Sequence, residues 1–308
     1  MIRFARLGSP IPFALAVIAI SAGSCLALGA RIADPAYRAA IEKWRQAYER
    51  DLKSDSGWLT VSGLFWLHDG ENTFGSGPLN DIVLPAPAPA RAGDFELHAG
   101  HTIVHINPGL PAFLHGQRVD SAEMHPDRDA DQLQLGDLTL YVHSSGERFT
   151  VRLRDKNSRL RKEFTGTRWF PVDESYRVIA KYVPYDKPKQ IEIQNVMGDT
   201  LRETILGYAA FKLGGKHLQL DAEVDGTDAS FVFRDLTSGH ETYAASRFLD
   251  TKIESDGRVV LDFNRAYNPP CAYNPFTTCP LPPPQNRLDV RIEAGEKTYH
   301  HAVGSPAH

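Results

Sequence analysis

The chain has 308 residues, 42% of them hydrophobic and 23% charged, a composition that fills a sizeable core and excludes global disorder. Lysine and arginine total 34 against 38 aspartates and glutamates, a net charge of −4. With no basic run, that balance argues against a nucleic-acid partner.

Residues 1–30 read as an export signal. Arg3 and Arg6 give a positive start, and the apolar block from Ile11 to Ile20 is too short for a membrane span of about 20 residues. Small residues follow. Ala22-Gly23-Ser24-Cys25 resembles a lipobox, in which Cys25 would be lipidated; a cut after Ala30 is the rival. The expected location is the periplasm or cell envelope, with membrane attachment only through such a lipid anchor.

The next segment, 31–56, carries one amphipathic helix. Asp34-Pro35 is an N-cap followed by proline at the first helical position. Tyr37, Ile41, Trp44, Tyr48 and Leu52 then recur at three- and four-residue spacing, with Arg38, Glu42, Lys43, Arg45 and Glu49 between them. This pattern predicts a helix over about 34–53 whose aromatic stripe packs inward.

From Trp58 the texture changes to short apolar runs punctuated by Gly, Pro, Asn and Asp at roughly ten-residue spacing, the pattern of a sandwich or barrel. The expected fold is mainly β: a β-sandwich over 57–150, then an antiparallel β-domain, sandwich or partly open barrel, over 151–308. Pro85 to Pro89 is read as an exposed loop. Gly70, Phe74-Gly75-Ser76, Asn80 to Pro85, His115 to Val119 and Leu133 to Asp137 resemble the strand order of forkhead-associated β-sandwiches. That resemblance implies the fold alone, because the Arg and Ser-x-x-His of phosphothreonine binding have no counterparts here. In the second half, strands are expected at Tyr176–Val183, Gln190–Gln194, Tyr208–Leu213, Ser230–Phe233 and Val259–Phe263. Pro184 to Pro188 and Asp199 are read as turns, and Arg287–Ile292 as the last strand.

Motifs for chemistry are sparse. His98, His101 and His105 fall on two strands around an Ala99-Gly100 turn and are read as surface histidines, so no metal site is expected. There is no nucleophile elbow, phosphate loop or dinucleotide fingerprint, and no cofactor is expected. Asp155, Asp173, Asp235, Glu241, Asp250 and Asp262 sit beside strands or turns, where a pair about 5–10 Å apart would serve glycoside hydrolysis.

The stretch 262–287 is unlike the rest. Seven of the sixteen residues from Pro269 to Pro284 are proline, and Cys271 and Cys279 lie eight positions apart. In an oxidising envelope such a pair reads as a disulfide, worth roughly 2–3 kcal/mol in the chain-entropy model. A stiff, irregular segment bearing Asp262, Asn264, Tyr267, Asn268 and Arg287 suits holding a polar ligand at small entropic cost. Arg152, Arg154 and Asp155 on one strand, with Asp235, Tyr243 and Arg247 around another turn, are expected to face the same place. Such donors suit a carboxylate, phosphate or sugar.

Several of these stretches carry a family resemblance: Gly57-Trp58-Leu59, Gly63 to Leu67, Arg154-Asp155, Phe164 to Gly166, Trp169-Phe170-Pro171, Asp235 to Gly239 with Thr242-Tyr243, and Asp262 to Asn264 with Tyr267 to Cys271. Over about residues 40–298 the chain resembles the bacterial and archaeal domain-of-unknown-function family 1684. The resemblance implies no activity and no catalytic residue. The expected function is an exported protein that binds a small polar or anionic ligand at the rigid loop. The alternatives are a hydrolase of glycans or esters using a carboxylate pair, and a purely structural envelope protein. Enzyme status and oligomeric state are not legible in the sequence.

Overall fold

The computed structural model describes residues 34–126 and 131–300; the expected signal segment, Cys25 included, lies outside them. Helix α1 (Pro35–Leu52) starts where the Asp34 carboxylate accepts the N–H groups of Ala36 at 2.8 Å and Tyr37 at 3.1 Å. Pro35 stands where a missing N–H costs nothing. The predicted apolar stripe faces the protein, with Ile41 and Leu52 buried. Arg45 joins that face against expectation: its guanidinium donates to the Phe170 carbonyl at 3.1 Å and covers the Trp169 ring.

The predicted sandwich follows. Strands β1 (Val61–Trp66), β2 (Gly70–Gly75), β3 (Ile82–Val83), β4 (Gly93–His98), β5 (His101–Ile106), β6 (Phe113–Leu114), β7 (Gln117–Arg118), β8 (Ser121–Glu123), β9 (Leu133–Leu135), β10 (Leu138–Ser145) and β11 (Arg148–Asp155) form two sheets. One runs β1-β11-β10-β9-β6-β7 and the other β3-β2-β4-β5-β8. Alternation along the strands sends Leu138, Leu140, Val142, Val151 and Leu153 into a core shared with Phe74, Phe95, Val104 and Met124. Each such side chain contributes about 1.5–3 kcal/mol on burial. The intervening residues, Tyr141, His143, Thr150, Arg152 and Arg154, therefore share the outer face of β10–β11. The β4–β5 hairpin turns at Ala99-Gly100, as the sequence predicts, with both residues at positive φ (48° and 84°).

After the short helix α2 (Arg159–Glu163), which the sequence did not announce, six strands make a third sheet: β12 (Arg177–Gln194), β13 (Thr200–Leu213), β14 (Lys216–Asp225), β15 (Asp228–Phe233), β16 (Arg247–Lys252) and β17 (Arg258–Asp262). The order is β16-β15-β14-β13-β12-β17, and an Ile253–Val259 bridge brings the two edges together into a nearly closed barrel. Phe211, Leu220, Phe231, Phe233, Leu249, Leu261 and Phe263 fill it.

Two expectations about this half are corrected. Pro184 to Pro188 is not a turn. The strand runs through it as an irregularity, the register slipping between the Pro184–Gly207 and Lys189–Ile205 pairs because two prolines supply no ladder N–H. Nor is Arg287–Ile292 a strand of the barrel sheet. It runs extended beside the non-strand segment after β15, bonding Leu288 N–H to the Arg234 carbonyl and Leu236 N–H to that of Val290. It sends Leu288, Val290, Ile292 and Ala294 into the barrel core.

The proline-rich loop between β17 and this plug is held by single turns of 3-10 helix and by its asparagines. Asn274 donates to the Trp58 carbonyl at 2.9 Å, and Asn286 to the carbonyls of Asp221 and Val232, both at 2.9 Å. An irregular buried backbone needs such partners. The expected bridge is not formed. Cys271 and Cys279 are both free and buried, in contact through the Cys271 N–H and the Cys279 Sγ at 3.2 Å. Proline and asparagine, not sulfur, hold the loop in shape.

Candidate functional site

The structure distributes the expected site residues over several places. Arg152 and Arg154 lie on the outer face of β11, under the loop segment that carries Thr278. Asp155, one residue on, accepts the Asn157 N–H at 2.7 Å and shapes a turn. Asp235 and Arg247 form a buried ion pair at 2.6 Å, and Arg247 also donates to the carbonyls of Ile292 and Ala294. That pair fastens the extended plug to the barrel.

Asp262 and Asn264 join α1 to the barrel. The Tyr37 hydroxyl donates to Asp262 at 2.8 Å, while Asn264 Nδ2 donates to the Tyr37 oxygen at 3.0 Å and to the Asp173 carbonyl at 2.8 Å. Burial and the Asp262 carboxylate push the Tyr37 phenol well above its ordinary range, so it stays a donor. The Tyr243 hydroxyl donates to the Cys271 carbonyl at 3.2 Å. Arg287 is exposed, its backbone bridged to Arg234. Most of this set thus satisfies backbone or its own members.

Tyr267 is different. With Asp250, to which its hydroxyl donates at 2.6 Å, it borders a cavity of about 550 Å³ between α1, the loop 54–58 and the barrel edge. Trp44, Tyr48 and Trp58 line the same cavity, together with Asp51, Ser54 and Ser56. Its size is that of a small-molecule site. Trp44 and Tyr48, one helical turn apart, lie nearly parallel at 11° with centroids 5.7 Å apart. Trp169, outside the cavity, stands edge-on to both, at 76° and 79°. The two rings make a stepped, flat wall with a fixed backing.

Behind that wall is a buried carboxyl. The Tyr48 hydroxyl meets the Tyr273 hydroxyl at 3.0 Å, and Tyr273 donates to Glu296 Oε1. Glu296 Oε2 accepts the Asn268 N–H at 2.8 Å, and the Asn268 side chain donates to the Lys297 carbonyl at 2.8 Å. Burial drives the Glu296 carboxyl up to about 7, against the hydrogen bonds from Tyr273 and Asn268 that favour its charged form. The same burial keeps both tyrosines neutral. Glu296 is placed by Gly295 (φ 81°), where a side chain would come within 2.5 Å of the Ala266 carbonyl oxygen.

Glu296 and Tyr273 were missed by sequence reasoning, and an acidic residue after a turn glycine carries no signal of burial. Trp44 and Tyr48 were legible as a helical stripe but read as packing alone. Both are half-buried, so one ring serves the core and the cavity together.

Residues 162–297 match the family model described as "Protein of unknown function (DUF1684)", a shorter span than the 40–298 expected. The matched span holds Asp250, Tyr267, Tyr273 and Glu296 but neither α1 nor the sandwich. Among solved structures, the chain is similar to an uncharacterised protein of Haloarcula marismortui determined by solution NMR. The two are 33% identical over 45% of this chain and 79% of that one, with a TM-score of 0.38. No curated protein matches. The chain belongs to the DUF1684 family.

Proposed function

We propose that the protein binds a neutral ring-shaped polyol, a sugar or short glycan, in the cavity between α1 and the barrel. The observation that carries this reading is the pairing of the parallel Trp44–Tyr48 wall with the Asp250–Tyr267 pair in one cavity. Flat aromatic faces take the apolar face of a sugar ring, and carboxylates accept from its hydroxyls. Among the described residues no lysine or arginine lines the cavity, while Asp51 and Asp250 do, which speaks against an anionic ligand there. The near-parallel rings suit a flat ligand better than the box of rings that encloses a point cation.

Hydrolysis has one feature in its favour: Asp51 on the helix and Asp250 on the barrel both border the cavity. Glycoside hydrolysis needs one carboxyl held protonated near neutral pH. Two carboxyls are raised by burial to about 7 nearby, and neither borders the cavity: Glu296 is enclosed behind Tyr273, and Glu223, whose carboxyl feels the Asp250 charge, lies outside the lining. Binding without turnover is therefore the reading adopted.

Tryptophan fluorescence under titration with neutral oligosaccharides, choline and citrate tests it. A saturable change with an oligosaccharide alone is expected, without release of reducing ends. A response to choline or citrate alone, or to nothing, defeats it.

Export by residues 1–30 would place the cavity in the envelope or periplasm, lipid-anchored through Cys25 if the cut falls before it and unanchored if it falls after Ala30. Amino-terminal sequencing of the mature protein tests this. A start at Cys25 or Arg31 is expected, and an intact Met1 in the bulk of the protein contradicts it.

A further inference from the structure

The outer face of β10–β11 gathers several hydrogen-bond donors that no described residue satisfies. The register sets Tyr141 opposite Arg152 and His143 opposite Thr150, and Arg154 follows two residues along on the same face. Arg152 is 6% exposed, and its one side-chain hydrogen bond among the described residues runs from Nη2 to Thr278 Oγ1 at 2.8 Å. That same oxygen also meets His143 Nε2 at 2.9 Å. The Arg152 Nε, the Arg154 Nε, the Tyr141 hydroxyl and the Thr150 hydroxyl are buried without a partner among the described residues.

Neither guanidinium has a carboxylate within ion-pair distance among the described residues. Asp155 accepts the Asn157 N–H, and Asp55 pairs with Arg161 at 2.9 Å and Lys156 at 3.6 Å. Aromatic rings close the sides, with Arg152 under Trp58 at 5.7 Å and Arg154 over Tyr141 at 4.9 Å. Two guanidiniums without a carboxylate and two hydroxyls without a partner, among the described residues, lack one chemical kind of partner, a group that only accepts. Guanidinium pairs bind such groups in a planar, forked geometry.

We infer that Arg152 and Arg154, with the Tyr141 hydroxyl, form a seat for an oxyanion, the phosphate or carboxylate group of a ligand, between the outer face of the sandwich and the loop bearing Thr278. The seat uses none of the cavity's own residues except Trp58, which borders both. It is entered from the Arg154 side, because Arg154 is only half-buried.

Equilibrium dialysis with inorganic phosphate, and separately with acetate, at ionic strength held constant with chloride, reads the seat directly. Saturable binding of at least one of the two is expected, weakened tenfold or more by Arg154→Gln and unchanged by Trp44→Ala. The tighter of the two names the source of the anion. Arg154→Gln is chosen because its half-exposed position preserves the fold, which circular dichroism confirms; Arg152→Gln is the second variant. Absence of saturable binding by both anions, or binding indifferent to both substitutions, overturns the inference. Retention of oligosaccharide binding by Arg154→Gln keeps this outcome separate from that of the cavity.

Discussion

Replacing Glu296 by glutamine removes a titrating group while keeping its shape. The glutamine oxygen can accept the Asn268 N–H and its amide can donate to the Tyr273 oxygen, so both contacts of the carboxyl have a substitute. The wild-type carboxyl is raised by burial from an ordinary 4.5 to about 7. A group whose folded pKa is raised binds its proton more tightly in the native state. The stability it contributes is present below the ordinary value and is lost as pH rises through the folded one. Two and a half units at ~1.36 kcal/mol each correspond to a loss of about 3 kcal/mol between pH 4.5 and 7, flat thereafter. Glu223, also raised by burial to about 7, slopes the same way. Asp81 and Asp199, both held below the usual carboxylate range, slope the other way at lower pH. Those contributions are common to both proteins and cancel in the difference. Urea unfolding of wild type and Glu296→Gln, followed by tryptophan fluorescence from pH 4.5 to 8, should show the variant gaining about 3 kcal/mol relative to wild type across that window. Curves that stay parallel would refute the buried, raised carboxyl.

Other substitutions test the joints of the fold. Arg247→Met removes the cation paired with the buried Asp235 carboxylate and is expected to cost roughly 3–5 kcal/mol; adding Asp235→Leu is not expected to restore it, because the buried Thr237 and Ile292 N–H groups then lose their acceptor, and chemical unfolding of the single and double variants measures both. Asn264→Ala leaves the Asp173 backbone N–H and carbonyl without their buried partner and should cost about 2–3 kcal/mol by the same assay, whereas an exposed-surface control such as Lys187→Ala should not move.

Much of the architecture was legible because it follows local rules. The Asp34-Pro35 start, the helical stripe and the Ala99-Gly100 hairpin each depend on residues a few positions apart, and each is present where expected. The errors come from partners distant in sequence. Pro184 to Pro188 has the composition of a turn, yet pairing with β13 on either side carries the strand through it. Leu288, Val290 and Ile292 alternate as a strand does, but they meet a barrel already closed by its edge strands and become a plug.

The candidate site divides the same way. Asn264 and Asn268 stood out as polar residues in a stiff segment and Arg247 as a donor beside a separate turn, and the folded chain uses all three on its own carbonyls and carboxylates. The cavity instead depends on a helix, a loop and a strand more than 200 positions apart, from Trp44 to Tyr267. Its aromatic wall is indistinguishable, in sequence, from the packing face of the helix it belongs to.

Isothermal titration calorimetry of wild type, Trp44→Ala and Asp250→Asn with neutral trisaccharides built from glucose and N-acetylglucosamine tests the central claim most directly. One site with measurable heat in the wild type, weakened tenfold or more in each variant while the unfolding curves stay cooperative, is the predicted result. Heats indistinguishable from dilution for every trisaccharide, or binding untouched by both substitutions, would contradict it.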